Sequence, residues 1–321
     1  IVPKIFFGGK MMTNIHPKDE LNSLIFSGVQ TFLRLPHQTD PHQLDVALVG
    51  VPLDSGTIYR NGTRFGPREI RIHSATVRKY NPAIQTNPYE NLRVADYGDI
   101  DVNPFSIEDA HLKIEHGIQA IIDADTRPLA IGGDHSISLP ILRALARKHG
   151  YGQLGMIHFD AHRDTSPEYF GQKYYHGSPF RCAIEENLLN PKKMIQIGFR
   201  GQTSDEKAFD FQIEHGITMI PIEEVFERGI SYVGQMIQEL NDEGQFYLSF
   251  DIDVVDPAYA PGTGTPQVGG LSSFQALQLV RSLQGIDFVG CDLVEVSPPY
   301  DSAGITSLLA ANLMFEILCV L

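Results

Sequence analysis

At 321 residues, 42% hydrophobic and 20% charged, the chain is globular and long enough for a substantial core, as one large α/β domain or two smaller ones. Its formal charge of −14 argues against nucleic acid or an anionic membrane surface as a partner. The 3 cysteines, Cys182, Cys291 and Cys319, show no paired spacing, and an odd count fits a reducing compartment, the cytoplasm, better than a secreted disulfide framework.

In chain order, residues 1–44 are irregular, with FFGGKMM, SGVQTFLRLP and the turn-forming pair Asp40 and Pro41, and are expected to wrap the surface or a neighbouring subunit as an N-terminal extension. From residue 45 apolar strand-like runs alternate with helical patterns. VALVGVPL precedes a helix start at GPREIR, and LAIGG at 129–133 precedes ISLPILRALARKHG. LGMIHF at 154–159, MIQIGF, FYLSF at 246–250 and FVGCDLVEV follow, and LSSFQALQLVRSLQG at 271–285 has apolar residues at helical spacing and ends in Gly285. Such alternation predicts a three-layer α/β/α fold, a mostly parallel sheet covered by helices on both faces. No apolar run of about 20 residues is read, so no transmembrane helix is expected. The chain begins IVPK without an initiator Met, which leaves upstream residues or a removed targeting segment open.

Chemistry is concentrated at the ends of three of these strand-like runs. GGDHS carries His135, DAHRD carries Asp160, His162 and Asp164, and SFDIDVVDP carries Asp251 and Asp253. A lone Asp or His is usually a cap or a satisfied polar group, but an unpaired carboxylate beside a buried strand is costly, and a divalent cation cancels its charge. Two of the runs use alternate residues, and a strand sends alternate side chains to the same face, so Asp160, His162 and Asp164 are expected to point one way, as are Asp251 and Asp253. Four carboxylates and two imidazoles without cysteine favour manganese-type ions over a thiolate zinc site, and nickel or cobalt suits the same ligands. Six ligands exceed what one tetrahedral ion uses, so two Mn2+ per chain are expected. Because the runs span residues 135 to 253 and must converge, one catalytic domain over 45–321 is favoured.

With these motifs in order, the chain resembles the ureohydrolase family, which includes arginase, agmatinase and the guanidino-acid hydrolases guanidinobutyrase and guanidinopropionase. The resemblance runs from VGVPLD at 49–54 to EVSPPYD at 295–301. RNGTRFGPREIR at 60–71, PGTGTPQVGGL at 261–271 and CDLVEVSPPYD at 291–301 place it nearer the agmatinase and guanidino-acid branch than arginase. The resemblance implies an arginase-like fold. It also implies that His135, Asp160, Asp164 and Asp251 hold one manganese and Asp160, His162, Asp251 and Asp253 the other, with Asp160 and Asp251 bridging. His176 in YHGSPF matches the family's proton-shuttling histidine, and Glu295 the carboxylate that receives the guanidinium. SGVQTFLRLP resembles an entrance segment near a subunit interface, and hexamers or trimers are the implied assembly.

These roles also make chemical sense. A guanidinium carbon is a poor electrophile, so attack needs a water whose pKa two metal ions have lowered. The departing amine needs a proton, which a histidine near His176's place is suited to give. A carboxylate such as Glu295 matches the planar fork of guanidinium N–H donors. The tail of the substrate is harder to read. Tyr169, in the loop SPEYFGQKYYHGSPFR at 166–181, resembles the tyrosine found there in guanidinopropionase, and either shortens the pocket or packs on its own loop. Arg60, Arg64 and Arg181 would favour an acidic tail, or pair within the acidic protein. A short guanidino acid, 3-guanidinopropionate or 4-guanidinobutyrate, is the expected substrate, with agmatine and free guanidine as alternatives. A non-catalytic metal-binding subunit would be expected to lose ligands, and a deacetylase-like site would use a single zinc.

Overall fold

The computed structural model describes residues 16–18, 23–203, 206–241 and 244–321. FFGGKMM lies outside them. The chain alternates strands and helices: β1 (Val46–Val51), α1 (Gly66–Ser74), β2 (Val94–Asp99), α2 (Ile107–Asp123), β3 (Arg127–Gly132), α3 (Ser138–His149), β4 (Leu154–Phe159), α4 (Pro179–Glu185) and β5 (Leu189–Ile197). Then come α5 (Asp210–His215), β6 (Thr218–Ile220), α6 (Ile222–Arg228), α7 (Ile230–Leu240), β7 (Gln245–Asp251), α8 (Ser273–Arg281), β8 (Asp287–Val294) and α9 (Ile305–Val320). The strands form one 8-stranded sheet in the order β2-β1-β3-β8-β7-β4-β5-β6. Every pairing is parallel.

The pleat explains why the inner strands read as continuous apolar runs. Val46 and Leu48 of β1 join the core on one face while Ala47, Val49 and Val51 join the core on the other. A strand buried on both sides has no polar alternation to show. Helices α2, α3 and α4 cover one face, and α1 with α6 to α9 the other. The two strands not read from sequence, β2 and β6, are the two edges of the sheet. β2 carries Asp96 and Asp99, and β6 is only 3 residues long, so neither offers an apolar run.

Helix α8 starts at a capping box of Ser272 and Gln275 and ends at Arg281, ahead of Gly285, whose φ is 87°. Helix α9 corrects one expectation. Residues 302–320 are long and apolar enough to cross a membrane, yet 72% of the stretch is buried. It serves as a core helix beside α1 and α8, and its Glu316 is held by Arg281 and by Asn81 Nδ2 at 2.7 Å. The segment before β1 is tied in as well. Phe32 and Leu35 are buried, the Phe32 N–H donates to Asp96 Oδ2 (2.8 Å), and the Arg71 guanidinium lies 4.0 Å over the Phe32 ring.

Candidate metal and guanidinium site

The predicted ligands meet at the carboxyl ends of three of the four central strands, β3, β4 and β7, with Glu295 at the end of the fourth, β8, where open α/β sheets place their sites. The means of convergence differs from simple strand alternation. β4 stops at Phe159, so Asp160, His162 and Asp164 lie on the following loop, and Asp164 reaches inward from a left-handed backbone (φ 52°). Asp251 is the last residue of β7, while Asp253 sits in the next turn, held by its own N–H donating to Asp251 Oδ1 (2.8 Å).

Among the described residues three groups of potential ligand atoms result, one of His135, His158 and Asp160 and two made wholly of the predicted ligands. His135, Asp160, Asp164 and Asp251 form one, and Asp160, His162 and Asp253 the other. Asp160 belongs to both, whereas Asp251, the second residue expected to bridge, joins only the first. His135 Nδ1 lies 3.2 Å from Asp160 Oδ2, 2.9 Å from Asp164 Oδ2 and 3.1 Å from Asp251 Oδ2. His162 Nδ1 lies 3.0 Å from Asp253 Oδ2 and 3.4 Å from Asp160 Oδ1.

The surrounding hydrogen bonds set the tautomer of His135. Ser249 O–H donates to the Asp292 carboxylate (2.7 Å), so its oxygen accepts from His135 Nε2–H (2.8 Å). Asp292 is fixed in turn by Ser138 O–H (2.5 Å) and the buried Tyr247 hydroxyl. The bare Nδ1 lone pair therefore faces three carboxylate oxygens, and this fully buried atom makes no hydrogen bond. An acceptor surrounded by acceptors is stable only with a cation between them. Burial, together with the charges of Asp253 and Asp160, pushes Asp251 well above the usual carboxylate range, and Asp253 is raised mainly by burial. The donor set thus fits one or more hard divalent ions.

His158 is a residue the sequence reading missed. It is fully buried in β4, and its Nε2–H donates to Asp160 Oδ2 (2.8 Å). Gln196 fixes that arrangement, because its amide nitrogen donates both to the Arg163 carbonyl (2.6 Å) and to His158 Nδ1 (2.9 Å). Asp134 was missed too. It accepts from the backbone N–H groups of Gly56 (2.8 Å) and Ser136 (2.9 Å), which anchors the loop carrying Ile58. The signal was present in both cases: His158 continues the alternate spacing of 160, 162 and 164, and Asp134 adjoins His135.

His176 and Glu295 stand beside this cluster. Glu295 follows β8 in a left-handed conformation (φ 66°), and its Oε1 accepts from the His135 N–H (2.9 Å) and from His176 Nδ1 (3.0 Å). Its Oε2 is buried without a partner among the described residues. A Cβ added at Gly264 would stand 3.2 Å from that oxygen, so the glycine keeps the approach open. His176 is held by its N–H to the Gly56 carbonyl (3.0 Å), and its Nε2 accepts from Ile58 N–H at 3.4 Å. Burial alone would depress the His176 pKa, but the charges of Glu295, Asp164 and Asp134 outweigh it and raise it to about 9.

A cavity of about 430 Å³ opens over His162, Asp164, His176 and Asp251. Tyr169 lines its mouth, 46% exposed, with its ring 4.7 Å from Phe170 and 5.8 Å from Tyr175, so it both borders the cavity and packs on its own loop. The three arginines expected to favour an acidic tail are engaged elsewhere. Arg64 pairs with Asp54, Arg181 with Glu185 (2.8 Å), and Arg60 lies over the rings of Tyr59 (5.3 Å) and Tyr300 (5.1 Å). Arg163 and Arg200 line the cavity instead.

Fold, ligand cluster and buried carboxylate agree with what comparison to known proteins finds. The Arginase family matches residues 44–320, and the chain belongs to that family. It is 48% identical over 299 residues to guanidinobutyrase of Pseudomonas aeruginosa, covering 92% of this chain and 93% of that one. Guanidinopropionase of the same organism is 49% identical over 313 residues, covering 97% and 98%. The mitochondrial agmatinase of Gallus gallus is 48% identical over 295 residues, covering 92% and 86%. The protein is an amidinohydrolase, an enzyme that hydrolyses a C–N bond of a guanidino group.

Proposed function

We propose that the enzyme hydrolyses a short guanidino acid, 3-guanidinopropionate or 4-guanidinobutyrate, to urea and the corresponding amino acid. The observation that carries the guanidino end is Glu295 Oε2, a buried oxygen without a partner beside the ligand cluster. The similarity to both guanidinobutyrase and guanidinopropionase supports the acidic tail. Two manganese ions are proposed, with His135, Asp160, Asp164 and Asp251 around one and Asp160, His162, Asp251 and Asp253 around the other, and nickel or cobalt as alternatives. When bound, such ions supply Lewis acidity and an activated water.

The chain's own residues do the rest. Glu295 Oε2 accepts the guanidinium N–H groups and orients the carbon toward the ligand cluster. In its doubly protonated form His176 gives up the long bond from Ile58 N–H, holds a proton at Nε2 stabilised by the Glu295 charge at Nδ1, and delivers it to the departing nitrogen as the C–N bond breaks. Asp160 touches both ligand groups and so fixes their separation. The proton lost by the attacking water replaces the one His176 gives up, which balances the cycle.

Agmatine is the second reading, favoured by Glu223, an exposed carboxylate lining the cavity, and by the similarity to an agmatinase. Free guanidine would leave the tail end of the cavity unused. Urea release at matched concentrations of 3-guanidinopropionate, 4-guanidinobutyrate, agmatine, arginine and guanidine decides. The acids are expected to lead in kcat/KM. A tenfold lead by agmatine or guanidine, about 1.4 kcal/mol of transition-state discrimination, overturns the acidic tail. We further propose one catalytic domain over 45–321 and a hexamer or trimer with SGVQTFLRLP near the interface. The 3 buried free thiols support a cytoplasmic location.

A further inference from the structure

The two arginines in the cavity wall are held in opposite ways. Arg200 is saturated: its guanidinium donates to the carbonyls of Gly198 (3.3 Å), Asp253 (2.8 Å), Val254 (3.1 Å), Gln267 (2.7 Å) and Val268 (3.1 Å). It braces the loops and has little left to offer. Arg163 donates only to the Ala208 carbonyl and lies 4.6 Å over the Phe209 ring. Among the described residues no carboxylate pairs with its side chain, so most of its N–H donors remain free. A half-buried guanidinium without an anion is an unusual arrangement, since such groups are normally paired when withdrawn from water.

We propose that Arg163 is the receptor for the tail carboxylate of the substrate, an inference that rests on the guanidino-acid reading. Three features fit it to that task. It lies between the ligands His162 and Asp164 in sequence, so its backbone is fixed by the same loop that builds the site. Phe209 and Phe199, whose rings are 5.6 Å apart, share its wall of the cavity and place apolar surface beside the guanidinium. The planar fork of Arg163 accepts a carboxylate bidentately, a geometry that a lysine or a neutral donor does not reproduce. Glu223, the carboxylate of the same cavity, is exposed, and water screens what it could contribute to a cationic tail.

The test compares 4-guanidinobutyrate with its neutral primary amide, which keeps the guanidinium and the tail length. The wild-type enzyme is expected to prefer the acid. Arg163→Gln is expected to lower kcat/KM for the acid roughly 10- to 100-fold, chiefly through KM, the range of a charge-assisted hydrogen bond. It is expected to leave the amide within about twofold, a split that a merely structural role would not produce. Arg163→Lys should recover part of the acid preference. Equal losses on acid and amide, or an unchanged acid preference, overturn the assignment of Arg163 while the guanidino-acid reading stands. A wild-type enzyme that turns over the amide or agmatine better than the acid overturns both. Should Arg163→Gln fail to fold, Arg163→Lys decides alone: a raised KM for the acid with the amide unchanged supports the assignment, and parallel changes overturn it.

Discussion

The floor of the cavity and its mouth are built on different plans. At the floor, His135, Asp160, Asp251, Asp253 and Glu295 follow the ends of central strands and are at most 2% exposed. At the mouth, Tyr169 is 46% exposed, and the lining comes from the connections after β1, β4, β5, β6 and β7. The difference separates two tasks. In the proposed mechanism the floor handles the guanidino group, which every candidate substrate carries, and it rests on rigid elements. The mouth meets the tail, where substrates differ, and is assembled from loops that can vary without disturbing the sheet.

If that division is right, substitutions at the floor abolish turnover for all substrates, and those at the mouth change only their ranking. The largest effect is expected for Asp160→Asn, because Asp160 is the one residue common to all the groups of potential ligand atoms among the described residues. The variant should lose most bound metal, and elemental analysis after manganese loading checks it. Retention of two ions would remove Asp160 from its bridging place. His176→Asn comes next, with kcat lowered roughly a hundredfold or more and metal content intact, as general acid catalysis is commonly worth. Near-native turnover would place the proton donor elsewhere.

Ser249→Ala tests the support beneath the floor. Without its oxygen, His135 Nε2–H loses its acceptor, and metal affinity is expected to fall about 10- to 100-fold, measured by competition with a chelator. An unchanged affinity would show that the Asp292 network sets no tautomer. The smallest effect is expected at the mouth. Tyr169→Phe should change kcat/KM less than about tenfold, and differently for 3-guanidinopropionate and 4-guanidinobutyrate, consistent with one hydrogen bond. A uniform large loss would place Tyr169 with the floor residues.

Much of the floor was legible in sequence for a physical reason. Strands buried on both faces leave apolar runs, and a carboxylate or imidazole at the end of such a run stands out because burial without a partner is costly. His158 did not stand out, because a single histidine inside LGMIHF reads as part of the core. Ser249 and Asp292 escaped likewise, since their meaning depends on β7 lying beside β8. The edge strand β2 was hidden by Asp96, whose charge is spent on Arg71 and the Phe32 N–H. The mouth was read least well. Which arginine faces a cavity depends on ion pairs formed across the fold, and among the described residues Arg64 and Arg181 found nearby carboxylates while Arg163 did not.

The position of β8 has a bearing on biosynthesis. It is the last strand of the sheet in chain order, yet it lies between β3 and β7, so the two halves of the sheet meet only through it. Until residues 287–294 have left the ribosome, the strand that should separate β3 from β7 is absent, and the six ligands cannot be brought to one place. Glu295 must then reach back across 160 positions to the His135 N–H. Closing so long a loop is entropically costly, and pairing of this range forms slowly. The nascent enzyme thus carries Asp160, His162, Asp164, Asp251 and Asp253 on the directly paired ends of β4 and β7 before His135 can join them, and completion of the first ligand group becomes one of the last events in its maturation.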